Sequence, residues 1–298
     1  MRIFLTGATG FIGSHIIPEL LQAGHSVVGV TRSDTGVDTL RAAGVEPYRG
    51  TLEDPAGLAK GADQADAVIH CAFDHDFSNF AAVVEKDIGV INAVGQILKD
   101  SDRPFIVTSG VGFGSSEAGA TAVEAVLNPD SPNPRVRSEM EAAALLDAGV
   151  KVITMRLPQV HDTVKQGLIS PMILISRAQG RSAYVGAGTT RLSAAHVSDV
   201  AHLYRLAVEQ GRAGERFNAV DEEGVPLVDV ATAVGEGLNV PVVSLTPEEV
   251  PGHFGMFGMF ASMDLPASSA WTRERLGWRP RGPGLIADLK ALDYSVPT

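Results

Sequence analysis

Cysteine is nearly absent from the 298-residue chain: Cys71 stands alone, so no internal disulfide can close. A chain of this length buries a large core without such staples, and a lone cysteine fits a reducing compartment. Cys71 ends an apolar run and reads as a small core residue rather than a nucleophile. Positive charge is also scarce. Lys and Arg number 24 against 35 Asp and Glu, a net charge of −11. Nucleic acid and anionic membrane surfaces need clustered cations, and the densest stretch, Arg273 to Arg281, is broken by Glu274. No apolar run approaches the roughly 18 residues of a membrane span, and no repeat or low-complexity tract is present. Nor is a metal site expected. Tyrosines number four, and none is followed by a lysine four positions later.

What the chain does have is concentrated at residues 2–13, Arg-Ile-Phe-Leu-Thr-Gly-Ala-Thr-Gly-Phe-Ile-Gly. The apolar run Ile3–Leu5 leads into Gly7, Gly10 and Gly13, and then Ile12, Ile16, Ile17, Leu20 and Leu21 recur at helical spacing. A buried strand, a glycine turn and a helix N-terminus are thus stacked in order. That geometry aims free backbone N–H groups and a positive helix end at a pyrophosphate, and glycine lets the phosphates approach. Further strands are expected at 26–31, 46–48, 66–71, 104–109 and 151–156, with helices between them, clearest at 80–98 and 135–146. Such alternation predicts an α/β protein: a doubly wound Rossmann sheet over residues 1–160, with its ligand site beyond the strand ends. Residues 161–298 mix shorter elements and are expected to form a smaller α/β substrate lobe, with a strand or helix exchanged between the two. The stretch Phe254–Phe260 is read as core packing, or as the lining for a flat apolar substrate.

The spacing of the glycines resembles the Thr-Gly-x-x-Gly-x-x-Gly signature of the short-chain dehydrogenase/reductase superfamily, in its extended branch of epimerases, dehydratases and reductases. Five further stretches resemble that branch in the same order. Leu52-Glu53-Asp54 matches an Asp-Leu-x-Asp turn with Thr51 in the first place, and Thr108–Gly114 matches the segment carrying the catalytic serine. Arg156–His161 matches an Arg-x-Pro-x-x-Tyr stretch, while His196–Ala201 and Leu276–Pro280 match two C-terminal signatures. The resemblance implies a nicotinamide dinucleotide held by Gly7, Thr9, Gly10, Phe11, Ile12, Gly13, Thr51, Leu52, Ala72, Phe73, Thr108 and Pro158. After the second strand, where an NAD site usually offers a carboxylate, the sequence reads Thr31-Arg32-Ser33. Arg32 can meet a 2′-phosphate and Ser33 can add a hydroxyl, so NADP(H) is expected over NAD(H).

The superfamily's general acid is a tyrosine acidified by a lysine four positions on. Anchored on Pro134 and Ser138, those two positions are Arg135 and Glu139 in this chain. Arg135 cannot give up a proton at any useful pH. Three readings follow. In the first, Ser109 and Arg135 stabilise a developing oxyanion while His161, His75 or water supplies the proton. In the second, the acceptor is a quinone or enone whose reduced anion needs little help from an acid. In the third, the chain binds NADP(H) without turnover as a redox-sensing interaction protein. The first two make it an NADP(H)-dependent oxidoreductase acting on an apolar small molecule; sugar epimerisation or dehydration fits less well, because it relies on the Tyr/Lys pair. The resemblance also implies a homodimer through helices 80–98 and 135–146. A strand starting at residue 2 leaves no room for a signal peptide, and a cytoplasmic protein is expected.

Overall fold

The computed structural model describes residues 1–296. Twelve strands and twelve helices are named here in chain order. Strands are β1 (Arg2–Thr6), β2 (Ser26–Thr31), β3 (Glu46–Arg49), β4 (Ala67–His70), β5 (Phe105–Gly110), β6 (Val152–Leu157), β7 (Gln159–His161), β8 (Ser182–Val185), β9 (Arg191–His196), β10 (Arg216–Asn218), β11 (Glu222–Pro226) and β12 (Val242–Leu245). Helices are α1 (Phe11–Gln22), α2 (Asp34–Ala42), α3 (Pro55–Ala62), α4 (Phe80–Leu98), α5 (Val136–Asp147), α6 (Ile169–Gln179), α7 (Val197–Gln210), α8 (Leu227–Leu238), α9 (Val250–Phe254), α10 (Gly258–Ser262), α11 (Ala270–Leu276) and α12 (Leu285–Ala291).

Seven strands form one parallel sheet in the order β10-β6-β5-β4-β1-β2-β3. The chain starts at an inner strand, β1, and winds outward in both directions, the Rossmann arrangement. Side chains alternate across a strand, so a strand covered on both faces must be apolar throughout. In β1, Ile3 and Leu5 join the cluster beneath α1 and α7, while Phe4 joins the opposite cluster beneath α3, α4 and α5. All three are fully buried.

The second half of the chain is not a separate block. Helix α7 packs beside α1 on the large sheet, and β10 adds its outer strand beside β6. The remainder builds a three-stranded sheet, β11-β9-β7, and a parallel pair, β12-β8. A cluster of Ile169, Ile173, Leu227, Val230, Leu285 and neighbours ties the three-stranded sheet to α6, α8 and α12, and the pair packs beside α6 and α8. The Phe254–Phe260 stretch is packed into the core only in part. Phe254 is buried in the β8–α9 cluster, whereas Met256 and Met259 are 63% and 54% exposed.

Candidate active site

The first six strands of the large sheet end on one edge, and loops from those ends make the site. At β1 the chain turns through Gly7 at φ +72°, a conformation that strains any L side chain. At Gly13 the need is closeness: a Cβ there would stand 2.1 Å from the Gly7 carbonyl oxygen. Helix α1 therefore starts directly against the turn. Its N-cap, Gly10, gives no side-chain cap, and no acid lies in its first turn, so its positive end is left for a ligand. Thr9, Gly10, Phe11, Ser14 and His15 form one wall of a cavity of about 380 Å³, and Asp162, Val164 and Lys165 form the other. Ile12 is half-buried and packs on the core beneath.

Beneath the turn lies a relay that sequence reading missed. Thr6 Oγ1 lies 2.7 Å from His70 Nδ1 and accepts from the Ala72 amide at 3.1 Å; His70 Nε2 lies 3.0 Å from Asp87 Oδ1. His70 and Asp87 are both buried. Burial works to raise the Asp87 pKa, but the His70 bond and the charges of His70 and Arg135 outweigh it and hold the carboxyl below its ordinary value. This relay fixes the loop at Ala72 and Phe73 against the glycine turn.

At the end of β2, Arg32 and Ser33 are exposed. Ser33 caps α2, accepting from the Gly36 amide at 3.0 Å. Arg49, at the end of β3, donates to the Arg32 carbonyl at 2.8 Å and pairs with the Asp34 carboxylate. The nearest acid is thus already matched, and a second arginine stands beside Arg32. Thr51 donates to the Glu53 carboxylate, while Leu52 packs partly buried on the core. Lys86 then bridges Glu53 and Asp74 at 2.9 and 2.8 Å, fastening the loop after β3 to the loop after β4.

Arg135, the N-cap of α5, reaches into the site. Its guanidinium lies 3.7 Å from the centre of the Phe73 ring, and Nη2 donates to the Thr108 carbonyl at 3.3 Å. Its Nε is buried without a hydrogen-bond partner. Burial lowers the Arg135 pKa, and the field of Asp87 opposes that; the group stays a cation. Thr108 Oγ1 lies 2.7 Å from the Tyr204 hydroxyl on α7. Burial pushes the Tyr204 phenol well above its usual range and the Cys71 thiol up to about 11, so both are neutral. Neither offers the acid that sequence reading found missing.

Glu139, one turn along α5, points elsewhere. It holds the buried Arg156 (Oε1 to Nε 3.0 Å, to Nη2 2.5 Å) and stands 3.4 Å from Arg216 Nε. Ser109 Oγ donates to the other Glu139 oxygen at 2.5 Å. The Ser109 proton is therefore spent on Glu139 rather than turned to the site, and the oxyanion donor expected of Ser109 is missing in this arrangement. His161 departs further. Its side chain has no exposed surface, its Nδ1 lies 2.7 Å from Asp288, and its ring packs on His196. A sealed imidazole does not touch a bound substrate, so the structure does not bring His161 together with Arg135. The histidine it does bring near is His75, whose pKa is pushed below its usual value by burial and then by the Arg135 charge. Pro158, half-buried between β6 and β7, lies on the same edge of the sheet. Among the described residues, no group of three His, Cys, Asp or Glu side chains could hold a metal, and no helix is long and apolar enough to cross a membrane.

Comparison with known proteins extends these observations. A sequence profile of the NAD dependent epimerase/dehydratase family matches residues 3–219. An uncharacterized protein of Schizosaccharomyces pombe is 43% identical over 295 residues, spanning 99% of this chain and 100% of its own. The decarboxylating sterol-4-alpha-carboxylate 3-dehydrogenase of Dictyostelium discoideum is 29% identical over 244 residues, 75% of this chain and 72% of its own. A human epimerase family protein solved with NADPH superposes with a TM-score of 0.74 at 17% identity, covering 99% of this chain and 100% of its own.

Proposed function

The chain belongs to the NAD dependent epimerase/dehydratase family, and from that premise we propose that it is an NADP(H)-dependent oxidoreductase reducing a carbonyl, enone or quinone of an apolar small molecule. The observation that carries the proposal is Arg135: a guanidinium clamped on Phe73 at the strand ends, with a buried N–H that nothing in the protein takes up. The residues fit the cofactor. The uncapped start of α1 opens on the 380 Å³ cavity, and Arg32 and Arg49 together outweigh Asp34 where a 2′-phosphate would lie. The sterol-directed relative supports an apolar substrate.

When bound, the cofactor supplies the hydride. Arg135 then stabilises the negative charge growing on the substrate oxygen, as a fixed cation in a partly dry site does well. It gives no proton. Desolvation and the Arg135 charge hold the His75 pKa below its ordinary value, which disfavours the cationic form that a histidine acid would use. Protonation falls to water. Acceptors whose reduced anions are delocalised, enones and quinones, suit such a site better than simple ketones. Phe73 holds the guanidinium plane, and the Thr6–His70–Asp87 relay holds Phe73's loop.

The test is NADPH oxidation by the purified protein with a panel of aldehydes, ketones, enones and quinones. Turnover on enones or quinones, lost in Arg135→Met, is the expected result. A second reading, an NADP(H)-binding protein without turnover, is favoured by the committed Ser109 proton and the sealed His161. Tight NADPH binding with no oxidation across the panel would establish that reading and defeat the first.

A further inference from the structure

The wall of the cavity facing the glycine turn is an unusually well-built loop. Asp162 Oδ1 accepts from the Val164 and Lys165 amides at 2.6 and 2.5 Å, and the Asp162 amide donates to the Lys165 carbonyl at 2.9 Å. The fully buried Gln166 side chain donates to the Asp162 carbonyl. Gln159, also buried, donates to the Gln166 carbonyl and accepts from the Leu168 amide at 3.1 Å. Two glutamine side chains inside the fold thus brace a loop whose own residues 163–165 are exposed. Asp162 Oδ2 also lies 3.9 Å from His15 Nε2 on α1, which ties the loop across the cavity.

What this scaffold presents is one lysine. Lys165 lines the cavity opposite Gly10, and no carboxylate among the described residues lies within ion-pair distance of it. Its charge extends inward, for it is among the causes that lower the His75 pKa. The start of α1 offers only about half a positive charge, whereas a dinucleotide's pyrophosphate carries two negative ones. Besides Lys165, the ionisable lining residues are His15 and Asp162, which lie against each other.

We propose that Lys165 is the counter-ion of the dinucleotide's pyrophosphate, held over the glycine turn by the braced loop 162–167; this rests on the nicotinamide-cofactor reading above. Because the loop is already ordered, the contact forms with little loss of conformational freedom. It also joins the two halves of the sequence at the cofactor, α1 from one side and the loop after β7 from the other.

Calorimetric titration with two ligands tests this: NADPH, and adenosine 2′-monophosphate, which keeps the 2′-phosphate but lacks the pyrophosphate. Lys165→Ala is expected to weaken NADPH binding by about ten- to a hundredfold, the loss of one charge-assisted contact. Binding of adenosine 2′-monophosphate should stay within about twofold, since the two sites are independent, and Lys165→Arg should recover most of the NADPH affinity. NADPH affinity unchanged in Lys165→Ala overturns the inference. Equal weakening of both ligands also overturns it, since the loop would then only support the fold. If the unaltered protein binds neither NADPH nor NADH, what fails is the cofactor reading itself, and that is seen before any variant is compared.

Discussion

Replacing Glu139 with Gln keeps the side-chain shape and removes one charge. Arg156 and Glu139 have no exposed side-chain surface, and Glu139 is the only carboxylate within ion-pair distance of Arg156 among the described residues. Without that charge, Arg156 keeps only the Val123 and Val126 carbonyls, at 3.1 and 2.7 Å, as backbone acceptors. Removing one member of a buried pair costs about 3–5 kcal/mol, because the remaining charge stays desolvated. Unfolding entropy of about 2.1 cal/mol/K per residue gives about 0.6 kcal/mol/K for this chain, so the melting temperature should fall by about 5–8 °C. Glu139→Lys should do far worse, setting a third cation beside Arg156 and Arg216, and should give little folded protein. The double variant Glu139→Leu/Arg156→Met should recover much of the loss, since no charge is then stranded. Circular dichroism melts of the three variants against the parent decide it. A Glu139→Gln melt within about 1 °C of the parent would show that the pair is not the buried lock described here.

Arg32→Asp should erase a preference for NADPH over NADH, by roughly ten- to a hundredfold in the ratio of dissociation constants, and Arg49→Ala should narrow it in the same direction; unchanged ratios in fluorescence titrations would remove both arginines from the 2′-phosphate site. Arg135→Met should lower kcat/KM by about a hundred- to a thousandfold with NADPH affinity kept, and the profile of the parent enzyme should be nearly flat between pH 6 and 8, with no histidine limb. The folded-state pKa of His161 lies below its unfolded value near 6.5, so the folded protein binds fewer protons than the unfolded chain as pH falls. The stability this contributes is present above about pH 6.5 and lost below it; His75 and His253 shift the same way. Melting temperature should therefore drop between pH 7.5 and 5.5, and less steeply in His161→Gln; a rise on acidification would contradict the sign.

Local signals carried most of the architecture. The apolar run, three glycines and helical periodicity of residues 3–21 describe one continuous piece of chain, and α4 runs from Phe80 to Leu98 as its periodicity indicates. The site is less legible because its partners are distant in sequence. Thr6 meets His70, Thr108 meets Tyr204, and His161 meets Asp288 only once the strands are ordered in space. His161 stands in the tyrosine place of a likeness to a family motif, and that likeness says nothing about whether its ring is open or sealed. Lys165 follows no motif at all. One clue was available: an arginine inside an apolar strand, as Arg156 is in β6, demands a buried acid, and Glu139 on the apolar side of α5 was the candidate.

That clue also bears on Arg135 and Glu139, the two residues that the resemblance sets at the family's acid and base positions. Arg135 and Glu139 are four apart, the spacing at which opposite charges pair along a helix, yet each is taken by a different partner. Glu139 turns inward to Arg156 and Ser109, while Arg135 turns to Phe73, Thr108 and the open end of the strands. The two residues are therefore separable in their effects: Glu139 supports the core, and Arg135 stands at the open strand ends. Restoring Tyr and Lys at these positions would not rebuild a conventional acid pair, because the new lysine would lie against the buried Arg156 and the serine would lose its acceptor. With Glu139 committed to the core, Arg135 is the charge left at the strand ends, and the function proposed above, chemistry that needs a fixed cation more than a mobile proton, rests on that arrangement.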